Sequence, residues 1–86
     1  MRKLLITPRF RKDLRDIPDQ IKKQADDLLF ALRRNPVDPR FGIKKLTTGF
    51  PAWRIRIGVY RLVYSFDQSR LILHRFRHRK DVYKNL

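Results

Sequence analysis

Three arginines, Arg54, Arg56 and Arg61, are spaced to form a clamp for an anion. They lie in the run WRIRIGVYRLVY at residues 53–64. Gly58-Val59 is a two-residue turn signal, with glycine where a type II′ turn needs it. A two-residue turn opposes Ile57 to Tyr60. Counting back pairs Arg56 with Arg61, Ile55 with Leu62, Arg54 with Val63 and Trp53 with Tyr64. Side chains alternate faces along a strand. Trp53, Ile55, Ile57, Tyr60, Leu62 and Tyr64 therefore share one face, and the three arginines share the other. Like charges directly opposed across a ladder repel, so Arg56 against Arg61 makes sense where an anion sits between them. Guanidinium groups match phosphate oxygens bidentately and keep their charge at neutral pH. The blander reading is a solvated face that discourages edge pairing. Ordinary sheet faces mix charge signs, whereas this one carries no acid.

A second cluster follows at residues 75–83, RFRHRKDVY. His78 is a histidine, a side chain suited to give or take a proton. Tyr83 can stack on a base or donate a proton. Arg77 and Arg79 can stabilise charge developing on a phosphate. Lys44, Lys45 and Lys80 extend the phosphate-binding surface. Asp81, the only acid here, reads as a partner for a nearby arginine. Phe76 is a candidate base-stacking ring on the arginine face, and His74, inside a strand, reads as structural. Two histidines, no cysteine and scattered acids give no metal-ligand spacing. No glycine-rich phosphate loop or Ser/His/Asp grouping is present. Neither a metal nor a cofactor is expected.

The elements that must position these groups are short. Lys3–Ile6 reads as a strand at or near a sheet edge. Thr7 can cap a helix and Pro8 suits its first turn. Phe10, Leu14 and Ile17 fall on one helical face. Pro18 breaks that helix and can open the next, in which Ile21, Ala25, Leu28, Leu29 and Leu32 keep helical spacing to about Arg34. Residues 35–39 read as a loop, 42–46 as a short strand, 47–51 as a loop, 67–70 as a turn and 71–76 as a last strand. The expected fold is α+β in the order β-α-α-β-β-β, a small antiparallel or mixed sheet backed by an N-terminal helical hairpin. The helices have to cover the apolar face, which leaves the arginine face open.

The chain has 86 residues, read as a single domain over 1–86. Such a chain buries roughly two-thirds of its unfolded surface, enough for one modest core. Lysine and arginine number 22 against 8 acids, a formal net charge of +14. Self-repulsion of that size weakens the compact state, and solubility needs far less. A polyanionic partner is implied. The absence of cysteine excludes a disulfide framework and thiolate chemistry. The apolar start Leu4-Leu5-Ile6 is too short for a signal peptide, and no stretch is long enough to span a bilayer. The expected location is the cytoplasm, with no membrane partner.

Leu46, WRIRIGVYRLVYSF at 53–66 and HRKDVY at 78–83, behind a helical hairpin, resemble the RelE/ParE toxin superfamily of bacterial and archaeal toxin–antitoxin systems. The resemblance covers nearly the whole chain. It implies a small sheet backed by two helices. RelE-type members are ribosome-dependent endoribonucleases that cut mRNA in the ribosomal A site. ParE-type members share the fold, poison DNA gyrase and lack the nuclease residues. Carried over by position, Arg54 and Arg56 match basic strand positions that RelE-type enzymes often fill with lysine. Arg61 matches the arginine of a Tyr-Arg motif, Arg77 or Arg79 the basic residue after the last strand, and Tyr83 the C-terminal tyrosine. Arginine at 54 and 56 departs from the lysine pattern and cannot readily transfer protons, which leaves that work to His78 or Tyr83. The reading is a RelE-like toxin that cleaves mRNA by metal-independent attack of a ribose 2′-hydroxyl on the adjacent phosphate. Its implied partners are an acidic cognate antitoxin, the ribosome and mRNA. A gyrase-inhibiting ParE-like toxin and a non-enzymatic RNA-binding module are the alternatives.

Overall fold

The computed structural model describes residues 1–47 and 49–84. Strand β1 (Lys3–Ile6) leads into helix α1 (Pro8–Asp13), a 3-10 turn (Leu14–Asp16) and helix α2 (Asp19–Arg34). Four strands follow, β2 (Lys44–Leu46), β3 (Ala52–Ile57), β4 (Tyr60–Phe66) and β5 (Arg70–His78). The order is thus β-α-α-β-β-β-β. The short strand expected at 42–46 forms over Lys44–Leu46 and pairs with Ala52, Trp53 and Arg54. With the hairpin and β5 it makes four strands after the helices, where the expected order counted three. The sheet order is β1-β5-β4-β3-β2, with β1 parallel to β5 and the other pairs antiparallel. The sheet is therefore mixed, and β1 lies at an edge. No helix among the described residues is long and apolar enough to cross a membrane.

Local chemistry accounts for the helix starts. The Thr7 hydroxyl accepts from the Phe10 N–H at 3.2 Å and donates to the Leu73 carbonyl at 2.8 Å, so one side chain caps α1 and ties it to β5. Pro8 occupies the first turn, where its missing N–H costs nothing. Pro18 stands just before α2. The loop expected at 35–39 is shortened, because the Asp38 carboxylate caps a 3-10 turn at Pro39–Phe41.

The hairpin register is the one that alternation implies. Trp53 pairs with Tyr64, Arg54 with Val63, Ile55 with Leu62, Arg56 with Arg61 and Ile57 with Tyr60. Gly58 holds φ +62°, the left-handed region that glycine enters without a steric penalty. Ile55, Ile57, Leu62 and Tyr64 are buried beneath the helices with Phe10, Ala25, Leu29 and Leu32. The Tyr64 hydroxyl donates to the Pro36 carbonyl and pins the 35–38 loop to the sheet. Burial pushes its pKa upward.

Two sequence expectations need correction. Phe76 is not on the arginine face. It is 1% exposed, pairs with Leu62 and stacks on Phe10 at 5.8 Å between ring centroids. The cause is an irregularity in the β4–β5 ladder. Val63 pairs with Arg75 but Tyr64 pairs with Leu73, so His74 is an extra residue. Such a bulge resets the alternation, putting Leu71 and Leu73 inward before it and Phe76 inward after it. Nor is the arginine face wholly open. Residues 79–84 turn back across it, and Val82, fully buried, packs with Ala52, Val63 and Leu46 in a second small core.

Candidate nucleic-acid interface

The C-terminal turn is built by backbone bonds. Arg79 N–H donates to the Val59 carbonyl at 2.8 Å, and the Asp81 and Val82 N–H groups donate to the His78 carbonyl at 2.8 and 3.0 Å. Val82 anchors the turn in the small core. Arg79 and Tyr83 are thereby carried to the face that holds Arg54, Arg56 and Arg61.

Arg61 is the electrostatic centre of this group. Its Nη1 donates to the Gly58 and Tyr60 carbonyls at 3.0 and 2.9 Å, which holds the guanidinium over the hairpin turn. Desolvation, then the charges of Arg56 and Arg54, press its pKa below the ordinary arginine value. Arg79 adds to that, and Tyr83 opposes it. The group still stays charged at neutral pH. An anion placed there would relieve the crowding.

Arg54 is the most unusual member. It is 7% exposed and buried beside the Val82 cluster. Its Nη1 has no hydrogen-bond partner among the described residues. Burying an unpaired donor on a charged group costs free energy. The side chain borders an open hollow of about 570 Å³, lined also by Lys44, Leu46, Thr47, Gly49 and the half-exposed ring of Tyr83. Lys44 pairs with Arg54 across β2 and β3 and shares its face. Lys45 pairs with Trp53, and its Nζ lies 5.6 Å from that ring's centroid. Replacing Arg54 by methionine is expected to raise stability by about 1 kcal/mol, since a buried unpaired charge gives way to an apolar chain of similar length. The same change should lower the slope of log RNA affinity against log salt by about one unit. Urea melts and salt-titrated binding check the two effects, and a loss of stability would mean that Arg54 is paired in solution.

Not all of the candidate residues meet here. His78 pairs with Tyr60, meets its ring at 5.9 Å and accepts the Lys80 N–H on Nδ1 at 3.1 Å. It faces the helix side, in a hollow of about 200 Å³ with Asp13, Asp16 and Asp81. Arg77 is the β5 partner of Arg61 but also lines that hollow. Lys80 is exposed on the C-terminal turn. Asp81 pairs with Lys84 at 3.3 Å rather than with an arginine. His74 is half-buried, its Nε2 2.7 Å from the Ser65 hydroxyl. Burial first, then Arg9, lowers its pKa and favours the neutral ring. Thr47 and Gly49 border the hollow, although no periodicity or motif in the sequence marks them.

The bulge and the C-terminal turn thus sort the cations into an arginine–tyrosine cluster on one face and a histidine–carboxylate group on the other. A cluster of four arginines with a tyrosine can hold phosphate oxygens, neutralise added negative charge and supply a phenolic proton.

Residues 4–83 match the model of the family described as the ParE toxin of the type II toxin–antitoxin system parDE. The chain is 34% identical over 83 residues to RelE1 of Methanocaldococcus jannaschii, covering 93% of this chain and 92% of that one. It is 30% identical over 83 residues to the toxin RelE3 of the same organism, covering 94% of each. Among solved structures, a RelB–RelE antitoxin–toxin complex from Methanococcus jannaschii superposes with a TM-score of 0.77 at 28% identity, covering 92% of this chain and 94% of that chain. With the family model spanning the sheet, both helices and Tyr83, and relatives matched over nearly their full length, this chain belongs to the RelE/ParE superfamily of type II toxin–antitoxin toxins.

Proposed function

We propose that the protein is a ribosome-associated endoribonuclease that cuts mRNA, acts in the cytoplasm and inhibits translation. The observation that carries this reading is the buried Arg54 guanidinium, whose Nη1 has no hydrogen-bond partner among the described residues, beside a hollow shared with Tyr83. A cost of that kind is retained where a ligand supplies the missing acceptor, and a phosphate oxygen fits.

In this mechanism Arg54 and Arg56 hold the message's phosphates, helped by Lys44, and Arg61 and Arg79 face the scissile one. The ribose 2′-hydroxyl attacks that phosphate as solvent water takes its proton, the arginines neutralise the extra negative charge, and the 5′ oxygen departs. The products are a 2′,3′-cyclic phosphate and a free 5′-hydroxyl. Tyr83, placed with the arginines, donates the proton to the leaving oxygen. His78, on the helix side, is left without that role. The hollow is open, so a larger platform must orient the RNA, and the ribosome supplies it. The cognate antitoxin is an acidic protein that covers this basic surface, by analogy with the relative solved as an antitoxin–toxin complex.

The match to the ParE toxin family keeps a second reading, the inhibition of DNA gyrase that the resemblance to ParE-type members implies. Primer extension on mRNA after brief expression separates the two. Discrete new 5′ ends within translated messages are expected. Intact messages together with blocked gyrase supercoiling would replace the nuclease reading with the gyrase one.

A further inference from the structure

The arginine–tyrosine cluster occupies the hairpin-turn end of the sheet. A second group of arginines lies at the other end, where β1 begins, α2 finishes and the β4–β5 turn closes. Met1, Arg2, Arg33, Arg34 and Gln68 line a hollow of about 360 Å³ there. Its guanidinium groups are held in place. The Arg33 Nε donates to the Arg2 carbonyl at 2.7 Å, and the Arg2 Nε donates to the Asp67 carbonyl at 2.6 Å. The Arg2 N–H in turn donates to the Arg33 carbonyl at 3.1 Å. The Arg2 guanidinium lies 5.5 Å from the Phe66 ring centroid, and that of Arg34 lies 5.6 Å from Phe30.

Both of these side-chain anchors use Nε. The terminal nitrogens, which form the fork that grips a phosphate, make no hydrogen bond among the described residues and can take an outside acceptor. Asp67, the nearby acid, is already committed to Arg70 at 2.7 Å and to the N–H groups of Ser69 and Arg70. The local positive charge is therefore not cancelled. Much of the entropy cost of ordering these long side chains is met by the fold itself, which favours binding.

We propose that Arg2, Arg33 and Arg34 form a second phosphate-binding site that docks the backbone of a folded RNA, separate from the strand held at Arg61. The proposal rests on the ribosome-associated nuclease reading. Arg61 pairs with Arg77 on β5, whereas the strand end at Lys3 pairs with Arg70. Those β5 positions are seven residues apart, which is about 23 Å at strand rise. One short message segment in the Arg54 hollow does not reach round to the far end. A large RNA presents phosphates on both sides. Two rigid points of contact also orient a toxin whose catalytic hollow is open, which a single shallow site cannot do.

The experiment measures binding of the whole purified protein to purified ribosomes and to a three-nucleotide single-stranded RNA, too short to span the two sites, over a series of salt concentrations. The variants are Arg34→Gln alone, which breaks no side-chain hydrogen bond among the described residues, and Arg33→Gln with Arg34→Gln. Circular dichroism and thermal melts check their folding. The double variant should lose about tenfold or more in ribosome affinity at moderate salt, with a log–log salt slope smaller by one to two units. Arg34→Gln should show the smaller part of that loss. Affinity for the trinucleotide should stay within about twofold of wild type, because it engages only the Arg61 end. Unchanged ribosome affinity in folded variants overturns the second site alone, and so does an equal loss on the trinucleotide, which would mark a general charge effect. A wild type that fails to bind ribosomes at any salt overturns the parent reading as well, and is recognised in the wild-type arm.

Discussion

Arg61→Ala is expected to slow cleavage of a ribosome-bound message by about a hundredfold or more while the protein stays folded. Arg61 sits at the middle of the cationic cluster, tethered to the Gly58 and Tyr60 carbonyls and crowded by Arg56 and Arg54. A guanidinium aimed at charge that develops during reaction contributes most in the transition state. The loss should therefore fall on the single-turnover rate more than on ribosome affinity. Arg61→Lys should recover only part of it, since an ammonium cannot repeat the bidentate fork. Tyr83→Phe should slow the reaction less, because water can replace its proton. Single-turnover cleavage, with folding followed by circular dichroism, reads all three. A folded Arg61→Ala protein that cuts at the wild-type rate would remove Arg61 from the site.

Asp13→Ala is expected to cost about 3–5 kcal/mol, the usual penalty for stranding one member of a buried ion pair. The Asp13 carboxylate accepts from Arg75 Nε and Nη2 at 2.8 and 3.1 Å and from the Phe76 N–H at 3.0 Å. The two side chains are only 10% and 7% exposed. Beyond Ile6 the parallel strand β1 stops, and the Asp13 carboxylate satisfies the Phe76 N–H on the uncovered β5 edge. A small domain has about 5–15 kcal/mol in all, so the urea midpoint should fall by about 2 M or more. Asp13→Ala combined with Arg75→Met should be more stable than Asp13→Ala alone, because no charge is then left buried and unpaired. A midpoint within a few tenths molar of wild type would mean that water reaches this pair.

Much of this protein was legible because its decisive signals are local. Period-two alternation about Gly58-Val59 set the β3–β4 register residue by residue. Thr7-Pro8 and Pro18 marked the helix starts. Charge composition pointed to a polyanion. The motifs at 53–66 and 78–83 carried the family resemblance, which the family model and the relatives match. All of these depend on neighbours within a few residues, or on totals that need no coordinates.

Tertiary structure decided what depends on distant packing. The bulge at His74 reversed the parity of β5 and moved Phe76 into the core, and a strand's own alternation does not show where its ladder slips. Val82 reads as one apolar residue in a basic tail. Only with Ala52 and Val63 does it form a core that carries Tyr83 and Arg79 to Arg61 and buries Arg54. His78 and Tyr83 are five positions apart in the chain, yet they face opposite sides of the sheet, because the turn at residues 79–84 reverses direction between them. Arg2 and Arg33 meet only because the parallel β1–β5 pairing brings the start of the chain beside the end of α2. Sequence named the candidates proposed to bind phosphate. Side-chain direction and chain reversal, which are properties of the packed molecule, determined which of them act together.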